Sequence, residues 1–337
     1  MRLIACIATA FLLLASCDRT PEVIRIAGET MGTTYHVTVV DPPSEEDAET
    51  LRDAIEAKLA AVNGCMSTWD PDSEISRFNA MQSSEPMEIT ENMAEVVRAA
   101  DAIHALSHGK FDITLGPLID LWGFGEPRPG EPIPSDEAIA EALEIVGQAR
   151  LIDLKPGPSL AKRDPRVRVN LSAIAKGYGI DQVAAVLAEK GIENYLVEIG
   201  GDLVASGQNP LGDAWVIGIE RPDAQQRAVE MVLPLTDLGA ATSGDYRNFF
   251  EEDGVRYSHI IDPTTGRPVT HRTTSVTVVA KSAMLADGLA TALLATGERR
   301  GIDLAEENNI AALFIVHDGE GFVTRSTSAF EKIANLK

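Results

Sequence analysis

The chain has 337 residues, 45% of them hydrophobic, with 29 Lys and Arg against 51 Asp and Glu, a formal net charge of −22. An acid excess of that size excludes nucleic-acid binding through a basic face and reads as a soluble, self-repelling surface. The apolar share suffices for one large domain or two small ones, and after the first 16 residues no 18-residue apolar run is present to span a membrane.

The N-terminus reads as a secretory signal. Arg2 is the positive n-region, and Leu3 to Ala15 is an apolar stretch of 13 residues, too short for a span. It ends in "LASC", which resembles a bacterial lipobox; the alternative is an ordinary signal peptide with a chance cysteine. The resemblance implies a signal over 1–16, lipidation at Cys17, a tether over 17–24 and one domain over 25–337. Asp18, directly after the cysteine, resembles an inner-membrane retention signal, so the expected location is the periplasmic face of that membrane. Three cysteines are present, Cys6, Cys17 and Cys65. Cys65 has no partner in the domain and is expected to be a small buried hydrophobe. No CxxC or clustered His/Cys pattern suggests zinc.

The domain begins with "IRIAGETMGTTYHVTVV" (24–40), alternating and β-rich, either two strands or one broken by Gly28 and Gly32. A long amphipathic helix follows, capped by Ser44, with Leu51, Ile55, Leu59 and Val62 on one face. "TWDPDSEISRFNA" reads as a turn and a short helix. "TENMAEVVRAADAIHALSHG" reads as a helix capped by Thr90 and stopped by Gly109. Residues 111–134 read mostly as loop, loosest over 126–134, where four of nine residues are proline. "SDEAIAEALEIVG" is another helix. A strand over 167–169 is expected to lead into a helix from about Ala173 to Gly191. Strands then dominate: a Gly-Gly bend in "YLVEIGGDLVASG", further strands in "AWVIGIERP" and "VEMVLPLTDLGAATSG", and hairpins turning at Asp253-Gly254 and Asp318-Gly319. Between those hairpins, "TSVTVVAKSAMLADGLATALLATG" is a strand and a helix. Paired antiparallel strands interrupted by helices indicate an α+β fold rather than repeating βαβ units.

Three segments have the means for chemistry. In "NLSAIAKGYGID" a helix N-terminus with Lys176 one turn in suits an anion, though an ordinary junction looks the same. In "ADGLATALLATG", Asp287 and Thr291 stand at i and i+4, so a carboxylate and a hydroxyl share one helix face and are able to hold a hard cation, or simply pack. In "SHIIDPTTGRPV", His259 lies in a β-rich run ahead of a carboxylate, either as a general base or as a strand-edge histidine before a turn. His104 and His108 lack a third ligand nearby, and His36, His271 and His317 lack partners in sequence.

Taken in order, "MGTTYHVTV", "STWDPDSEISRFN", "FDITLGPLIDLWGFG", "NLSAIAKGYGID", "YLVEIGGDL", "TSGDYRNFF", "SHIIDPTTGRPV" and "ADGLATAL" resemble the ApbE family of bacterial flavin transferases, from residue 31 to about 297. The resemblance implies an ApbE-type, tunnelling-fold-like domain with antiparallel sheets and packed helices. It implies cleavage of FAD at the pyrophosphate, transfer of FMN to a Thr or Ser hydroxyl of a target flavoprotein, and departure of AMP. The targets implied are subunits of membrane electron-transfer complexes. By resemblance, Mg²⁺ is held by Asp287, Thr291 and the carbonyl of Ala173. The flavin nucleotide is contacted by Met31, Trp69, Lys110, Phe111, Asp112, Asn170, Lys176 and Ile261, and His259 is the base; Tyr246 and Arg247 lie in a family motif without an assigned role. Four positions vary in the family: Asn170 stands where Asp is common, Trp69 where Tyr is frequent, Ala290 where some relatives have a second Asp, and Lys176 where some carry Glu. The same site allows two further readings, an FAD hydrolase and a non-catalytic FAD-binding lipoprotein.

Overall fold

The alternating segment 24–40 forms two strands, β1 (Val23–Thr30) and β2 (Thr33–Val40), paired antiparallel. β1 therefore starts two residues before the expected domain boundary. Met31 (φ 50) and Gly32 (φ 73) make the two-residue turn between them, both in the left-handed region that matches strand twist. This computed structural model describes residues 20–125, 133–223, 228–246, 248–319 and 321–335. The expected signal segment, Cys17, most of the proline-rich loop and Arg247 lie outside the described residues.

Six further strands complete one sheet: β3 (Asn194–Ile199), β4 (Asp202–Ser206), β5 (Leu238–Gly244), β6 (Thr273–Ala280), β7 (Ala311–Asp318) and β8 (Gly321–Ser326). Their order across the sheet is their order in the chain, and every neighbouring pair is antiparallel. The sheet is a meander; the other elements are inserted between its strands, except the Ser328–Ala334 helix, which follows the last one. The helices α1 (Ala48–Met66), α2 (Glu91–Leu106) and α3 (Ala175–Glu189) come between β2 and β3, and α4 (Ala283–Thr296) between β6 and β7.

Both sheet faces are covered. On one, Val37, Val39, Val197 and Ile199 pack with Leu51 and Ile55 of α1 and Ile180 and Val183 of α3. Farther along that face, Val276 and Val278 meet Ala290, Leu293 and Leu294 of α4. On the other, Leu203, Ala205, Leu313 and Ile315 pack with Trp215, Ile217 and Leu233 of an inserted hairpin, Trp215–Glu220 with Val229–Leu235, and with Phe330 of the Ser328–Ala334 helix. Period-2 alternation in the strands is what lets one ribbon feed two cores.

Helices α3 and α4 cross at close range. A Cβ on Gly177 would lie 2.3 Å from the carbonyl oxygen of Ala283, so only glycine fits there. The start of α4 is held by Ser282, which accepts from Leu285 N (3.2 Å), and by Asp181 of α3, which accepts from Ala283 N (2.8 Å) and Met284 N (2.9 Å). Gly177→Ala should therefore force the helices apart and cost about 1–3 kcal/mol, each kcal/mol appearing as roughly 2–4 °C in the thermal midpoint. An unchanged midpoint would mean that the crossing has slack.

Several sequence expectations are corrected. The cap of α1 is Asp47, whose Oδ1 accepts from Thr50 N at 2.8 Å; Ser44 donates to Glu45 instead. Residues 111–134 are not all loop: Gly116–Leu121 is a short helix, started by a proline in its first turn. No strand forms over 167–169. The Asn79 side chain takes both backbone groups of Val169, accepting from N at 2.7 Å and donating to O at 2.8 Å, and so replaces a ladder partner. Cys65 is buried and free, as expected; burial pushes its thiol up to about 12.

Candidate functional site

The insertions meet in one cleft of about 970 Å³. Its walls are the 110–125 segment, the 168–176 approach to α3, the Thr242–Gly244 end of β5, Tyr246, Asn248 and His259 to Ile261, and one face of α4. Trp69, Lys110, Phe111, Asp112, Asn170, Ala173, Lys176, His259, Ile261, Asp287 and Thr291 all line it. Three segments that look independent in sequence are therefore walls of one site.

Met31 is not among the lining residues. It sits in the β1–β2 turn with its methyl group against α3, 2.7 Å from where a Cβ on Gly179 would stand. Its side chain packs against the cores on either side of α3. Phe111 and Ile261 line the cleft but have buried side chains, in the core with Val97 and in a smaller cluster with Trp122 respectively. Asp112 is also spent locally: its carboxylate accepts from Thr114 N (2.8 Å) and Gln148 N (2.9 Å). Asn170 closes a turn onto Ser172 N (2.9 Å), a bond that an aspartate would make equally well. Trp69 is 73% exposed at the rim, a planar face held outward.

The two helix starts are joined at Asp287. Its Oδ2 accepts from Gly177 N at 3.0 Å. Four residues before Gly177 stands Ala173, whose carbonyl receives no backbone amide among the described residues. Asp287 is buried, and burial pushes its carboxyl up to about 6, against the pull of Lys176. One turn on, Thr291 shares a hydrogen bond with Ser243 Oγ (2.9 Å). A buried carboxylate with raised pKa, a free carbonyl and a hydroxyl are hard oxygen donors, and this set fits Mg²⁺ completed by waters or phosphate oxygens. Among the described residues no group of three His, Cys, Asp or Glu forms a metal cluster. Ala290 is fully buried against the sheet, outside the cleft lining, so the missing second carboxylate takes nothing from the lining.

Three cations line the cleft, and each is paired. Lys110 Nζ holds both oxygens of Asp262 at 2.7 Å, Arg168 pairs with Asp120, and Lys176 pairs with Asp202. Burial pulls the Lys176 ammonium down, but Asp287 and Asp202 more than offset this and hold it above its ordinary value. Asp262, which reads in sequence as a turn-shaping residue, is thus also an ion-pair partner.

His259 stands across the cleft. Its Nδ1 is 3.0 Å from the carbonyl of Asn248, which assigns the proton to Nδ1 and leaves the Nε2 lone pair available. Burial lowers its pKa from 6.5, partly opposed by that carbonyl bond, so the ring is neutral at pH 7. Phe124 packs edge-on against it, ring centroids 6.2 Å apart.

Sequence reasoning missed Asp202, Thr242, Ser243, Asn79 and Arg168. Asp202 is buried, anchors Lys176, and accepts from Thr242 N at 3.0 Å. Its signal was the acid in "IGGDL", which acquires meaning only once β4 lies beside β5.

The ApbE family model matches residues 31–314. The FAD:protein FMN transferase of Vibrio cholerae serotype O1 is 47% identical over 322 residues, 96% of either chain. The solved structure of the flavin transferase ApbE from Vibrio cholerae superposes with a TM-score of 0.86 at 45% identity, over 93% of this chain and 99% of that one. The apo flavinyl transferase ApbE of Pseudomonas stutzeri gives 0.86 at 41% identity, over 94% and 98%. With the motifs, the meander sheet and the cleft in agreement, the chain belongs to the ApbE family of flavin transferases.

Proposed function

We propose that this chain transfers FMN from FAD to a threonine or serine hydroxyl of a protein acceptor and releases AMP. The observation that carries the proposal is the convergence of the Ala173/Asp287/Thr291 oxygens, Lys176 and the neutral His259 in a single cleft. The acceptor oxygen attacks the FMN-side phosphorus. The bond from that phosphorus to the bridging oxygen breaks, and AMP leaves with that oxygen. The hydroxyl proton passes to His259 Nε2, which the Asn248 carbonyl orients for the purpose. Lys176, fixed by Asp202, meets the pyrophosphate charge, and Trp69 offers a stacking face to a ring system. Ala173, Asp287 and Thr291 are the residues to hold Mg²⁺, which when bound neutralises phosphate charge in an acidic protein. Positioning and charge stabilisation then supply most of the catalysis.

The test is incubation of residues 18–337 with FAD, Mg²⁺ and membranes from a host lacking the gene. An acceptor band that becomes flavin-fluorescent supports the proposal, whereas AMP with no labelled protein makes the chain an FAD hydrolase. The acceptor belongs, in this reading, to a membrane electron-transfer complex at the periplasmic face, where Cys17 tethers the enzyme; "LASC" supports that placement. Cys17→Ser should move the enzyme from the membrane to the soluble fraction on cell fractionation, and retention in the membrane would contradict a lipid tether.

A further inference from the structure

We propose that the outer face of the inserted hairpin, Trp215–Glu220 with Val229–Leu235, is the surface on which the acceptor polypeptide docks; this rests on the transferase function proposed above. The hairpin's inward residues, Trp215, Ile217, Ile219, Leu233 and Leu235, are buried against the sheet. Its outward positions face water, where alternation calls for polar side chains. Instead Val216, Val229 and Val232 are 62%, 61% and 59% exposed. The pairing Val216↔Pro234, Gly218↔Val232 and Glu220↔Val229 puts them on one face. Two residues of that face, Gly218 and Glu220, also line the catalytic cleft. A Cβ on Gly218 would meet the methyl groups of Val229 at 3.4 and 3.5 Å, so the valines run up to the cleft edge at Gly218, where the Glu220 carboxylate lies beside them.

The cleft settles the occupant. FAD brings a doubly charged pyrophosphate, which the paired cations and oxygen donors inside the cleft suit and exposed valines do not. The second substrate is a protein, and its hydroxyl must reach His259, so its chain has to cross the rim. An extended acceptor segment with apolar residues flanking its Thr or Ser matches the strip, and Gly218, lacking a side chain, lets a backbone approach closely.

The test uses as acceptor the polypeptide that becomes fluorescent in the membrane assay, purified without flavin. Val216→Asp/Val232→Asp should raise the KM for this acceptor by at least about tenfold. FAD affinity, by flavin fluorescence, and kcat at saturating acceptor should not change. Val216→Thr/Val232→Thr, which keeps shape and strand preference, should raise KM less, in the same direction. Leu211→Asp, 85% exposed and outside the cleft lining, is the control and should not alter KM. An unchanged KM in the aspartate pair overturns the proposal; if that pair does not fold, an unchanged KM in the threonine pair does so. If the unmodified enzyme labels no protein at all, the transferase function itself fails, and docking with it.

Discussion

His259→Ala lowers the rate of FMN transfer by roughly a hundred- to ten-thousandfold, the range of a positioned general base, and leaves FAD affinity nearly intact. The side chain lines the cleft without being a core residue, and its one hydrogen bond in the described residues is to the Asn248 carbonyl. Removing it deletes the Nε2 acceptor and little else. The pH profile carries a second signature. Burial sets the imidazole pKa below 6.5, so the ring is the neutral base throughout pH 7–8 and gains a proton only in more acidic solution. The acidic limb of kcat/KM should therefore fall below pH 6.5 and be weaker in the residual activity of the alanine variant, where only groups such as Asp287 still titrate. Single-turnover flavin labelling across pH reads both. An alanine variant with full transfer would remove His259 from the chemistry.

Asp287→Asn has the other large effect. The asparagine keeps the size and an oxygen to accept from Gly177 N–H, so the α3–α4 crossing stays closed. What it loses is the negative charge, which also helps hold Lys176 protonated. Loss of a residue that merely supports a metal ligand costs 10–100-fold in affinity or activity, so loss of the carboxylate ligand itself should raise the half-saturating Mg²⁺ concentration by about a hundredfold or more. Thr291→Ala removes a neutral ligand and should be the milder lesion, partly rescued by added Mg²⁺. Titration of transfer rate against Mg²⁺ separates the two. An asparagine variant with the wild-type Mg²⁺ profile would place the cation elsewhere.

Much of the fold and half of the site are legible in the sequence, because they rest on local rules. Antiparallel pairs are local, and the hairpin turn at Asp253-Gly254 announces itself through residues that tolerate left-handed φ; the last hairpin turns one residue later than expected, at Gly319, because Asp318 still pairs with Gly321. Asp287 and Thr291 share a face because α-helical spacing demands it. What stays hidden depends on long-range contact. Asp202 and Thr242 are 40 residues apart and meet because β4 pairs with β5. Lys110 and Asp262 are 152 residues apart, so neither can be read as half of an ion pair. The expected strand over 167–169 fails for a related reason: the partner of Val169 is a side chain, Asn79, 90 residues earlier. Met31 belongs to a motif and sits in a tight turn, with its methyl group against α3.

The most direct test of the central claim is a stoichiometry. With saturating FAD and Mg²⁺ and a measured amount of flavin-free acceptor, AMP release and protein-bound flavin should rise together, one to one, and stop when the acceptor is exhausted. AMP that accumulates in excess of labelled acceptor, at the same rate whether or not acceptor is present, would show that water is the true acceptor and contradict the account.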